Sequence, residues 1–167
     1  YPGSTQGLHI NETGPHGCLV VSAQPDGDSF AFSSVFQPLG PVEWHTLSIT
    51  VGEDVSFDEL ENQIQSLIAE TVTSVLPARS KAAYLVLPCS ALLLRVRLTG
   101  RTKLDTELRH PTAIADLLER LRDESSSDPL IWVMDIETDT RPMIDRAVLL
   151  EREDLVGEIL RMSNRLY

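Results

Sequence analysis

The spacing of hydrophobic and polar positions along the chain changes several times, and each change marks an element. "GCLVVSA" (17–23) and "SFAFSSVF" (29–36) are short runs of strand formers flanking the turn signal "QPDGD" (24–28). Together they predict a hairpin. The sixteen residues before it hold three glycines and two prolines and predict a loop. "QPLGP" (37–41) breaks the pattern, and a domain boundary is placed there.

Beyond the break, "VEWHTLSITV" (42–51) is rich in β-branched and aromatic residues and predicts a strand. Ser56-x-x-Glu59 is a capping box, and Leu60, Ile64, Leu67, Ile68 and Val72 form one apolar stripe after it. Pro77 is expected to end this helix. Residues 78–90 are ambiguous, with "YLVLP" a candidate irregular strand. "ALLLRVRLT" (91–99) predicts a strong strand. Pro111 suits the first turn of a second helix, with Ile114, Leu117, Leu118 and Leu121 as its stripe and "SSSDP" as its end. "LIWVMDIET" (130–138) predicts another strand. A last helix is expected over residues 145–165, with Leu149, Val156, Ile159 and Leu160 inward. The expected class is α+β: an N-terminal hairpin, then a small β-α-β-α-β-α domain with helices packed on a sheet.

"LLLRVRLTGRTKL" (92–104) stands out within this pattern. Arg95, Arg97, Thr99, Arg101 and Lys103 share one parity, and Leu94, Val96, Leu98 and Leu104 share the other. In a strand, one face is basic and one apolar. Gly100 is expected to bend or bulge the end and re-aim Arg101 and Lys103. Asp135, Glu137 and Asp139 alternate in the same way and share a face. Two readings follow. The cations contact phosphates, or they pair across strands with the acids. Spacing alone favours pairing. A split is also open, with Arg95 and Arg97 paired and Arg101 and Lys103 at an exposed rim.

Composition narrows the classes. The chain has 167 residues, 42% hydrophobic and 23% charged, as a globular domain would. No apolar run is long enough to span a membrane. Position 1 is Tyr, not Met, so the chain is expected to be an excised part of something larger. Cys18 and Cys89 form no CxxC, which suits a reduced, cytoplasmic protein. The net charge is −11. It divides into net −8 over residues 1–94 (two basic, ten acidic) and net +3 over 95–122 (seven basic, four acidic). Residues 123–167 carry net −6 (five basic, eleven acidic). Only a local patch can therefore attract a polyanion.

Catalytic patterns are missing. His9, His16, His45 and His110 lack zinc-site spacing, and there is no HExxH, G-x-S-x-G, P-loop or dinucleotide fingerprint. His9 and His16, near Asn11 and Glu12, are expected to be surface loop residues, and His45 a structural or surface residue.

Four segments carry a family resemblance: "YPGSTQGLHINETGPHGCLVV", "LRVRLTGRTKLDTEL", "WVMDIETDTRPMID" and "EREDLVGEIL". The first resembles the segment that closes the catalytic domain in bacterial calcineurin-like metallophosphoesterases of the SbcD/YhaO type, the DNA repair exonucleases. The others resemble the accessory, or capping, region that follows it. The resemblance implies a two-metal, usually manganese, phosphodiesterase whose ligand motifs (D-x-H, G-D, G-N-H-[DE], G-H-x-H) would lie upstream. Gly27-Asp28 is the only G-D, and it falls in the hairpin turn. Residues 1–40 are then expected to be the terminal loop and strands of the phosphoesterase domain, and 41–167 the capping domain. The chain alone is expected to hold no cofactor and to be inactive. Implied partners are DNA, an ATPase of the SbcC type with a long coiled coil, or a second copy of the chain, and no membrane. Arg97, Arg101 and Lys103 are the expected DNA backbone contacts. Leu8, His16 and Asp105 stand where the family usually has Arg, Lys and often His. The alternative is a protein-interaction or dimerisation module that never touches DNA.

Overall fold

The computed structural model describes residues 3–81, 89–123 and 129–143, with Asp154, Leu155, Glu158, Ile159 and Met162. The hairpin pairs β1 (Gly17–Asp26) with β2 (Ser29–Pro38) antiparallel. Gly27 takes the positive φ, 60°, that a tight two-residue turn demands. At the base, the two backbones approach so closely that a Cβ on Gly17 would lie 1.9 Å from the Gln37 carbonyl oxygen. The register Leu19↔Phe36, Ala23↔Phe32 and Pro25↔Phe30 gathers Leu19, Val21, Phe30, Phe32 and Phe36 on one face. All five are exposed, from 38% at Phe36 to 71% at Phe32.

The second sheet has the order β3-β4-β5 and is fully parallel: β3 (Val42–Thr50), β4 (Ala91–Thr102) and β5 (Leu130–Pro142). Parallel neighbours need crossovers. The first carries α1 (Phe57–Lys81), the second α2 (Asp105–Leu108) and α3 (Pro111–Asp123). The helices lie on one side of the sheet. There Leu60 and Ile64 of α1, Leu108, and Leu117 and Leu121 of α3 pack with Ile49, Val96, Leu98 and Val133. A second cluster joins Leu47, Leu92, Leu94 and Ile131 to Leu67, Ile68 and Val72 of α1. The α+β class, the hairpin and the alternation of strands and helices match expectation.

The capping box is formed. The Ser56 amide donates to Glu59 Oε2 at 2.8 Å, and the Glu59 amide donates to Ser56 Oγ at 3.3 Å. Pro77 does not end α1, which runs on to Lys81. Proline's fixed φ is itself helical, so its cost is one lost backbone bond and local crowding rather than an unavoidable stop. α2 was not anticipated; its four residues are too few for a periodic signal. Cys18 is exposed and Cys89 buried, and both are free thiols.

Two differences concern the strands. Gly100 has a positive φ of 103°, and a Cβ there would meet the Val51 carbonyl oxygen at 2.8 Å. Yet pairing continues without a slip through Gly100↔Thr140, Arg101↔Arg141 and Thr102↔Pro142. The bulge lies instead on β5. Leu94 pairs with Val133 and Arg95 with Asp135, so Met134 is the extra residue. In an unbroken β5, Asp135, Glu137 and Asp139 would share the face of buried Ile131 and Val133. The bulge moves the three acids to the open face and turns Ile136 and Thr140 toward the helices.

Of the last predicted helix, Leu155, Glu158, Ile159 and Met162 are described and helical. Ile159, expected inward, is 56% exposed. Leu149, Val156 and Leu160 lie outside the described residues, as do "YLVLP" and most of "SSSDP".

Candidate nucleic-acid interface

Parallel sheets are usually covered on both faces. This one is covered by helices on one face, while the other is polar. Thr46, Ser48 and Thr50 of β3 line it beside Arg95, Arg97, Thr99 and Arg101 of β4 and Asp135, Glu137, Asp139 and Arg141 of β5. The N-terminal loop is stitched to the edge of β3. Gln6 Nε2 donates to the Val42 carbonyl at 2.9 Å, and Trp44 Nε1 to the Gly7 carbonyl at 2.9 Å. The Gly14 amide donates to the Trp44 carbonyl. In that loop Leu8 is 79% exposed and His16 is half-buried against the Gly14 carbonyl. His45 meets Glu43 at 3.2 Å and is half-buried.

The cations sort into three groups. Arg95 is bidentate to Asp135, at 2.8 and 2.7 Å, and reaches Glu137 at 2.7 Å. Its hydrogen bonds to Asp135 push the guanidinium pKa further up despite partial desolvation, and the charges of Asp135 and Glu137 add to this. Arg97 donates twice to Glu137 Oε2, at 3.0 and 2.8 Å. Lys103 sits in the turn after β4 and pairs with Asp54. That hydrogen bond, with the Asp54 charge and a smaller contribution from Glu53, raises its pKa. Arg101 is different. It is exposed and donates Nη1 to the Pro142 carbonyl at 3.1 Å, with no carboxylate partner among the described residues.

The structure thus brings Arg95 and Arg97 into a ladder with the predicted acids. Of the three expected contact residues, two are occupied by carboxylates. Asp105 is not at the rim. It is buried, accepts from Arg109 Nε at 2.8 Å and from Thr140 Oγ1 at 2.8 Å, and ties α2 to β5. The sequence reading missed Arg141, which pairs with Arg101 in register. Period two from Asp135 places Arg141 on the acids' face, but its partner depends on the bulge.

The helix side is acidic. A groove of about 540 Å³ is lined by Phe57, Asp58, Glu61, Glu107, Asp116 and Arg120, with Arg120 already held by Glu61 at 2.9 Å. A polyanion has no foothold there. No set of three or more His, Cys, Asp or Glu among the described residues is arranged to hold a metal ion. Among the described residues, no helix is long and apolar enough to cross a membrane.

The family described as "Metallophosphoesterase YhaO, middle domain" matches residues 44–141. The chain belongs to this family. The match runs from Trp44 on β3 to Arg141 near the end of β5. The YhaO signal therefore covers the parallel sheet and both crossovers and leaves the hairpin outside. No curated protein and no solved structure matches the chain. Resemblance to a YhaO/SbcD-type metallophosphoesterase region is met at that level.

Proposed function

We propose that the chain is the capping region of a DNA repair exonuclease of the metallophosphoesterase class and that it helps to position DNA. Residues 41–167 form the capping domain. Residues 1–40 supply the last loop and strands of the phosphoesterase domain, whose two manganese ions lie outside this chain. The partner is a coiled-coil ATPase of the SbcC type. One observation carries the DNA reading: charge divides across the sheet. The helix side is acidic, while the open face ends in Arg101, whose cation has no carboxylate partner among the described residues. The uncovered apolar face of the hairpin supports the domain assignment, because two strands alone are marginal and need a body to pack on.

The test is a nuclease assay with manganese. The chain alone leaves a labelled duplex intact, and a protein that also carries the upstream phosphoesterase domain degrades it. Robust cleavage by the chain alone sinks the reading.

The hairpin face also favours a second reading, a protein-interaction or dimerisation module without DNA contact. A salt titration separates the two. Phosphate contacts make affinity fall steeply with salt. No binding at low salt, alongside a concentration-dependent dimer, selects the second reading.

A further inference from the structure

We propose that Arg101 and Arg141 form a two-guanidinium clamp for a nucleic-acid backbone phosphate at the end of the open sheet face. The clamp rests on the reading that this domain meets DNA, and it adds a residue and a geometry to that reading. The two arginines are direct cross-strand partners, and both are exposed. Like charges placed opposite one another on a sheet are destabilising. Elsewhere on this face, β4 and β5 oppose cation to acid, as Arg95↔Asp135 and Arg97↔Glu137. Thr99↔Asp139 follows without a cation, and Arg101↔Arg141 then sets like charges opposite one another. Neither arginine has a carboxylate partner among the described residues.

The surroundings select the site. Asp139, two residues before Arg141 on the same face, lies within electrostatic reach of Arg109. Arg109 Nη2 in turn donates to the Thr140 carbonyl at 3.0 Å, which brings a third guanidinium to this end of β5. Arg101 is pre-oriented, because its Nη1 is held by the Pro142 carbonyl. Among the described residues, its remaining N–H groups and the fork of Arg141 have no other acceptor. A phosphodiester offers two unbridged oxygens, and guanidinium groups match such a pair. A bridging anion removes the repulsion between the arginines. The contact positions a strand without reading its sequence.

The experiment is fluorescence anisotropy of a labelled duplex titrated with the full chain, repeated across a salt series. Arg101→Gln and Arg141→Gln each weaken binding. Each also reduces the slope of log K against log salt by about one, and the double variant by about two. Arg120→Gln, on the helix side, removes the same charge and serves as control. Both clamp side chains are exposed and each substitution relieves like-charge repulsion, so no variant is expected to melt below the wild type. An unchanged slope in the double variant overturns the clamp while leaving the DNA reading in place. So does an Arg120→Gln effect as large as either single clamp variant, since net charge then explains everything. A wild-type chain that fails to bind duplex at low salt overturns the DNA reading and the clamp together.

Discussion

Asp105 shows what one carboxylate does in this fold. It is 4% exposed, and its oxygens accept from Arg109 and Thr140. Arg109 is the main cause of its lowered pKa, burial opposes it, and Thr140 assists. Glu59 is also lowered, by the Ser56 amide first and the Ser56 hydroxyl second. A carboxylate whose folded pKa lies below its unfolded value stabilises the fold fully above the unfolded value, about 4. That contribution is lost as pH falls through the folded pKa. Denaturant midpoints should therefore be flat with respect to these groups from pH 7 to about 5 and decline below about 4. Asp105→Asn should cost about 1–3 kcal/mol at pH 7 and blunt the acid decline, which urea melts across pH would show. The capping box was legible because both partners lie within one turn. Asp105 was not, because Thr140 is 35 residues away and only the fold brings it near.

The bulge on β5 is the element on which the open face depends. It leaves the Val133 and Met134 carbonyls to Arg122, which donates to them at 2.8 and 2.9 Å and stacks 4.7 Å from the Trp132 ring centre. Deleting Met134 restores a regular ladder while keeping Val133 inward, Asp135 outward and the Arg95↔Asp135 register. Inserting a glycine after Met134 adds a second extra residue and does not. The deletion variant is expected to lose little in thermal melts, and the insertion variant to lose much more. The opposite ranking would show that Met134 is not the odd residue. The sequence held a clue in "IWVMDIETDT": inward positions shift from odd (Ile131, Val133) to even (the partly buried Ile136, then Thr140) numbers. The shift announces a bulge, but the glycine in β4 drew attention to the wrong strand. Pro77 misled for a related reason. Proline's rule concerns the bond it removes, and a 25-residue helix docked on two apolar clusters withstands that loss.

For the molecule as a whole, the two sheets have different fates. Strand order, helix placement and core stripes of the parallel sheet were readable because each stripe is long and periodic. The direction of the open face's charges was readable only as a choice between pairing and phosphate contact. The structure divides the cations between those held by carboxylates and those, Arg101 and Arg141, with no carboxylate partner among the described residues. The hairpin leaves Phe30 and Phe32 at 60% and 71% exposure, with ring centres 6.4 Å apart. The isolated chain is therefore expected to associate through this face. Light scattering should show mass rising with concentration, and Phe30→Ser with Phe32→Ser should suppress the rise without changing the melt of the parallel sheet. A rise unaffected by both substitutions would place the association elsewhere. The same hairpin also sets an order of events in time. Its turn is local, so it closes within about 1–10 μs. The parallel sheet must instead bring together residues such as Val42 and Ala91 across a long crossover before any of its ladder forms. Of the two sheets, the first able to close is thus the one whose apolar face this chain leaves uncovered, and it lasts only once something else is there to receive it.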